Sequence, residues 1–120
     1  MNILLAEDDR MFGAVMKNEL EDEDLRVDVV RDGVEAVVNF INNSYDAVLL
    51  DVSMPKLDGF GALRIIERLS PSVPVIVFSG KVGLHELEEK ASGAVFFRKP
   101  FVVAEIKDCI RRSLTVSGRS

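Results

Sequence analysis

The chain has 120 residues, 48% of them hydrophobic and 29% charged, and a formal net charge of −5. That length fits one domain, folding would bury roughly two-thirds of its unfolded surface, and the apolar share excludes a disordered chain. The acidic balance argues against a nucleic-acid grip, because a phosphate backbone selects a basic surface. The single cysteine, Cys109, excludes an internal disulfide and a cysteine-built metal site.

Along the chain, five short apolar runs alternate with amphipathic stretches. The first run, Ile3 to Ala6, reaches acid at Glu7 with no basic region before it, unlike a secretory signal. Phe12, Met16 and Leu20 then fall on one helical face. The second run, Leu25 to Val30, alternates apolar and polar, as a strand at a sheet edge does. Val34, Val37, Val38 and Ile41 follow helical spacing, and Ala47 to Leu50 is the third run. Leu63, Ile66 and Leu69 repeat the helical spacing before the fourth run, Val73 to Phe78. Leu84, Leu87 and Ala91 mark a fourth helical stretch, Ala94 to Phe97 the fifth run, and Val103, Ile106, Ile110 and Leu114 a fifth helix. Pro71, Pro74 and Pro100 sit at junctions, where proline is tolerated. The tail from Thr115 reads as frayed, with the domain proper over 1–116 and a tail or linker start over 117–120.

Near-continuous β-branched runs are expected of strands covered on both faces. Five strand–helix alternations imply an α/β fold, a doubly wound parallel sheet with helices on both faces. All strand C-termini then share one edge, where ligands bind at the reversal of strand order. Glu7, Asp8 and Asp9 follow the first run, Asp51 the third, Ser79 the fourth and Lys99 the fifth. Each has a simpler reading alone: a helix cap, a turn residue, an N-cap, a surface lysine. Together they place two acidic strand ends, a hydroxyl and a cation on one edge. Crowded carboxylates repel unless a cation joins them, and hard oxygen ligands favour Mg²⁺. A carboxylate beside such an ion can accept a phosphoryl group, with the ion and a lysine neutralising its oxygens.

In these residues the chain resembles the receiver domain of two-component response regulators, a CheY-like, flavodoxin-like fold. The carrying stretches are Ile3 to Asp9, Asp32-Gly33-Val34-Glu35-Ala36, Tyr45 to Pro55, Asp58-Gly59, Val77-Phe78-Ser79-Gly80 and Arg98-Lys99-Pro100-Phe101. The resemblance implies a sheet of order 2-1-3-4-5 with five helices. It implies Asp51 as phosphoacceptor, Asp8 as a direct Mg²⁺ (or Mn²⁺) ligand, Glu7 acting through water, and the Ser53 carbonyl completing the set. Lys99 would pair with Asp51 and then with the phosphoryl group. Ser79 would be the switch hydroxyl and Phe96 the aromatic switch residue. Ser53 and Lys81 would flank the attacking water and set the phosphoryl lifetime.

Three positions depart from the commonest pattern of that family. Gly80 stands where alanine is usual and would loosen its loop, Phe96 lacks the hydroxyl of the frequent tyrosine, and only twenty residues separate Ser79 from Lys99. The resemblance further implies a sensor histidine kinase or phosphotransfer protein as donor. An output domain or target would be reached through the fourth helix, fifth strand and fifth helix, where a homodimer could also form. That region carries Lys81, Lys90, Arg98, Lys107, Arg111 and Arg112.

The expected function is a phosphorylation-controlled switch, cytoplasmic and free of direct nucleic-acid or membrane contact, that promotes its own phosphorylation and dephosphorylation rather than turning over a substrate. The alternative is a receiver-like interaction module that works without phosphorylation. A flavodoxin-like cofactor protein would want a neutral phosphate loop where Glu7-Asp8-Asp9 stands. A dehalogenase-type phosphatase would want an acid where Ser53 stands. His85, the only histidine, lies away from the acidic edge, which excludes a Ser-His-Asp hydrolase. Cys109 reads as a small buried hydrophobe, Met11, Met16 and Met54 as packing residues, and the acidic run Glu19 to Asp24 as a solvated loop. By position, residues 1–60 carry a net charge of −9 and residues 61–120 one of +4, which sets the acids against a later cation.

Overall fold

Period-two alternation along each strand sorts the core into two layers. The computed structural model describes residues 1–52, 59–80, 94–99 and 101–116. Its strands are β1 (Asn2–Ala6), β2 (Arg26–Val30), β3 (Ala47–Asp51), β4 (Val75–Ser79) and β5 (Val95–Arg98). Its helices, among the described residues, are α1 (Arg10–Leu20), α2 (Gly33–Asn42), α3 (Gly59–Leu69) and α4 (Val103–Val116). The sheet is parallel throughout, in the order β2-β1-β3-β4-β5. β2 lies at an edge, as its alternation predicts. The fourth helical stretch of the sequence lies outside the described residues, and α4 is the fifth.

Leu4, Ala6, Val48, Leu50, Val75 and Val77 face one layer, with Ala36 and Phe40 of α2 and Leu63 and Ile66 of α3. Ile3, Leu5, Ala47, Leu49, Ile76 and Phe78 face the other, with Met16 and Leu20 of α1 and Ile106, Ile110 and Leu114 of α4. All five residues of β3 and of β4 are buried, which explains their unbroken apolar runs. β5, at the opposite edge, is only partly covered: Val95 is exposed, and Phe96 and Phe97 are half-buried on opposite faces.

Local chemistry starts the helices where the sequence turns acidic. Asp9 caps α1, its Oδ1 accepting the Phe12 N–H at 3.1 Å. Asp32 caps α2, its Oδ1 accepting the Glu35 N–H at 2.8 Å, while Glu35 accepts the Arg31 N–H at 3.0 Å. Tyr45, buried and stacked on Phe40, donates its hydroxyl to Asp28 at 2.8 Å and so fastens β2 to the entry of β3. Burial first, then that carboxylate, drives the Tyr45 pKa well above the usual phenol range.

Several expectations need correction. The helix over Val34 to Ile41 forms, but Val34, Val38 and Ile41 are exposed, and the buried face is Gly33, Ala36 and Phe40. Leu69 of α3 is also exposed. Met11 is 79% exposed and is not part of the core, while Met16 is fully buried. The acidic run is more than a solvated loop. Asp22 accepts from Lys107 and Arg111 of α4, each at 2.8 Å, and Glu21 accepts the Val27 N–H at 3.1 Å. Lys17 donates to the Val27 carbonyl at 2.9 Å, so α1 covers one outward pair of backbone groups on the β2 edge. The last helix continues through Thr115 to Val116, beyond the point where the tail reads as frayed. Cys109 is buried against the α1–α4 layer, as expected.

Candidate phosphoacceptor site

The reversal of strand order falls between β1 and β3. From β1 the chain crosses to β2 on one side, and from β3 to β4 on the other. Glu7 and Asp8 follow β1, and Asp51 ends β3, so they meet across this gap. Carboxylate oxygens of Glu7, Asp8 and Asp51 all lie within 4.8 Å of one another. Glu7 and Asp51 are each 1% exposed, and Asp8 opens to solvent. Ser79 is fully buried at the end of β4, beside Arg98 in the ladder, and its carbonyl accepts the Lys99 N–H at 3.2 Å. The sheet thus delivers Glu7, Asp8, Asp51, Ser79 and Lys99 to one edge, as the sequence predicts. Ser53 and Lys81 lie outside the described residues. Phe96 sits opposite Val77 on β4, half-buried against the α2–α3 layer.

One pairing differs from expectation. Lys99 Nζ lies 2.7 Å from Glu7 Oε1 and 3.4 Å from Asp51 Oδ2, so its tighter partner is Glu7. Glu7 also accepts the Asp9 N–H at 3.2 Å. Two buried carboxylates therefore share one ammonium. Burial first, with Asp51 acting in the same direction and Lys99 against it, raises the Glu7 pKa to about 7. Burial works against the charge on Lys99, but Glu7 and Asp51 outweigh it and hold its pKa above the ordinary lysine value. At neutral pH the site is short of positive charge, and its donors are hard oxygens. Both properties fit a small divalent cation.

Aromatic rings surround Lys99. Its ammonium lies 4.4 Å from the ring centre of Phe12 and 5.4 Å from that of Phe78. Phe12, Phe78 and Phe101 contact one another with centroids 5.6 to 6.3 Å apart. Phe12 reads in sequence only as a core-face residue, and no spacing links it to a lysine so far along the chain. Gly80, expected to loosen its loop, lies against the Lys99 stem: a Cβ there would meet Lys99 Cβ at 3.4 Å and Cδ at 3.7 Å.

Residues 3–111 match the family model of the response regulator receiver domain. The chain belongs to that family. This receiver domain is 32% identical over 108 residues to the response regulator MprA of Mycobacterium sp. (strain KMS), covering 88% of the chain and 47% of the relative. It is 35% identical over 108 residues to the transcriptional regulatory protein QseB of Haemophilus influenzae, covering 88% and 49%. The receiver domain spans about half the length of the curated relatives it matches. Among solved structures, the receiver domain of the Francisella response regulator 1452 superimposes with a TM-score of 0.87 at 28% identity, over 97% of this chain and 98% of that one. The receiver domain of the sensor histidine kinase PA1611 from Pseudomonas aeruginosa gives a TM-score of 0.81 at 32% identity, over 95% and 97%, and holds a magnesium ion in its active-site cleft. Among the described residues, no helix is long and apolar enough to cross a membrane.

Proposed function

We propose that this receiver domain accepts a phosphoryl group on Asp51 from the phosphohistidine of a sensor kinase or phosphotransfer protein. The observation that carries the reading is the buried Asp51 carboxylate, clustered with Glu7 and Asp8 and reached by the Lys99 ammonium. An Asp51 oxygen attacks phosphorus, the phosphorus–nitrogen bond breaks, and the donor imidazole leaves with the electron pair. Glu7, Asp8 and Asp51 would hold Mg²⁺ or Mn²⁺, with the Ser53 carbonyl as a further ligand. When bound, that ion supplies charge neutralisation at the phosphoryl oxygens. Lys99 already spans Glu7 and Asp51, so a rotation about its stem brings its ammonium to the new phosphoryl oxygens.

Ser79, buried at the neighbouring strand end, is the hydroxyl that would follow, with half-buried Phe96 moving as it does. The step is a shift between two packings, biased by contacts that exist only after phosphorylation. Ser53 and Lys81 would tune the lifetime of the phosphoryl group. The domain would promote its own phosphorylation by the donor and its own dephosphorylation, rather than turn over a substrate as an enzyme does. It would act in the cytoplasm on an output domain or target, or on a second copy. The contact face would be β5, α4 (the fifth helix of the fold) and the fourth stretch of helical spacing in the sequence, that of Leu84, Leu87 and Ala91.

Incubation with acetyl phosphate and Mg²⁺ tests the reading by intact mass. The wild type gains one phosphoryl group, Asp51→Asn gains none, and chelation of the metal abolishes the gain. An unmodified wild type would sink this reading in favour of an interaction module that works without phosphorylation.

A further inference from the structure

Four contacts close a loop around Lys99. Glu7 Oε2 accepts the Asp9 N–H, and Asp9 Oδ1 accepts the Phe12 N–H. The Phe12 ring then lies 4.4 Å from the Lys99 ammonium, which returns to Glu7 Oε1 at 2.7 Å. The cap that starts α1 therefore fixes the residue whose ring faces the site's cation. Phe78 and Phe101 buttress that ring edge-on or tilted, so it cannot swing away without leaving an aromatic cluster.

A lysine stem has four rotatable bonds, and holding its head in one place costs rotamer freedom. The side chain of Lys99 is 25% exposed, so water competes for its ammonium. A ring face at this distance attracts the cation electrostatically while offering it no competing acceptor oxygen. An aliphatic side chain of similar size fills the space but has no such face.

We infer that Phe12 is a positioning residue: its ring holds the Lys99 ammonium between Glu7 and Asp51, poised for the incoming phosphoryl group. This rests on the reading of Asp51 as phosphoacceptor. Phe12 acts through Lys99 and carries no chemistry itself. Its loss loosens the ammonium rather than removing it, so phosphoryl uptake slows without stopping. A cation–ring contact of this strength corresponds to about threefold to tenfold in rate.

The test compares the wild type with Phe12→Leu and Phe12→Tyr, with Phe12→Met replacing leucine if that variant does not fold. Two quantities are read: the NMR shift of the Lys99 ε-methylene protons without metal, and the rate of uptake from acetyl phosphate in saturating Mg²⁺. In the wild type those protons are displaced upfield by the ring. Phe12→Leu loses most of the displacement and takes up phosphoryl about threefold to tenfold more slowly, whereas Phe12→Tyr keeps both. A leucine variant that is folded and takes up phosphoryl at the wild-type rate overturns the inference, as does a tyrosine variant as slow as the leucine one. If the wild type takes up no phosphoryl group, the acceptor reading fails. The methylene shift then still decides whether Phe12 holds Lys99.

Discussion

At the scale of single residues, the site is organised by a shortage of positive charge. Glu7 and Asp51 are both buried, and Lys99 serves both. Asp51→Asn keeps the shape of the side chain and removes one of the two charges. In metal-free protein at pH 8 it is expected to stabilise the fold by roughly 1–2 kcal/mol, because like charges in a shared site each cost on that order. The gain should shrink below pH 6, where Glu7 already holds a proton in the wild type. Urea unfolding of the two proteins in EDTA at both pH values measures it, and a less stable variant at pH 8 contradicts the argument. On the proposed reading the same substitution is expected to abolish phosphoryl uptake, which would make Asp51 a position where function costs stability. Sequence made Glu7, Asp8, Asp51, Ser79 and Lys99 legible because strand ends are fixed by the order of apolar runs. It could not show that Lys99 sits closer to Glu7, since that choice depends on rotamers and on the Phe12 ring beside it.

At the scale of elements, strand positions were the easiest to read and helix faces the hardest. β3 and β4 are buried on both sides, so their composition alone marks them. In α2 the β-branched residues Val34, Val37, Val38 and Ile41 carry the visible periodicity, yet only Val37 packs on the core, half-buried, and the other three face solvent. The face against the sheet is built from Gly33 and Ala36, which permit close approach, and Phe40, which fills the gap beside Tyr45. Small residues contribute little to a hydrophobic pattern, so the pattern is centred away from the buried face and overlaps it only at Val37. The stability of point variants should follow the structure. Phe40→Ala is expected to cost about 3–5 kcal/mol through lost burial and a residual cavity. Val38→Gln should stay within about 0.5 kcal/mol of the wild type. Chemical denaturation of both separates the two assignments of the face, and the reverse ranking would restore the valine face to the core. The tie from Asp22 to Lys107 and Arg111 was equally hidden, because it joins the loop after α1 to α4, far along the sequence.

At the scale of the whole molecule, the uneven charge along the chain becomes a dependence of stability on pH and on divalent cations. The folded-state pKa of Glu7, about 7, lies above its ordinary 4.5. The folded protein therefore holds that proton more tightly than the unfolded chain. The associated stability is fully present below pH 4.5 and is lost as pH rises through about 7. Asp22 behaves oppositely. Its hydrogen bond from Lys107 first, helped by a backbone N–H and by the Arg111 charge, lowers its pKa from 3.8 to about 2. Its contribution is present above pH 3.8 and is lost as pH falls towards 2. In EDTA the melting temperature should accordingly be highest near pH 4 to 5, the interval between these two titrations, fall as pH rises through about 7, and level off by pH 8. A divalent cation needs the carboxylates deprotonated, so its affinity should rise as pH climbs through the Glu7 titration. Saturating Mg²⁺ is then expected to raise the melting temperature strongly at pH 8 and hardly at pH 5. At one hundred times its dissociation constant, the ion would add about 2.7 kcal/mol at the higher pH. Thermal melts across this range, with EDTA and with Mg²⁺, read both slopes at once. Equal stabilisation by Mg²⁺ at pH 5 and pH 8 would mean that the ion does not compete with the proton held by Glu7, and the charge-shortage account of the site would fall with it.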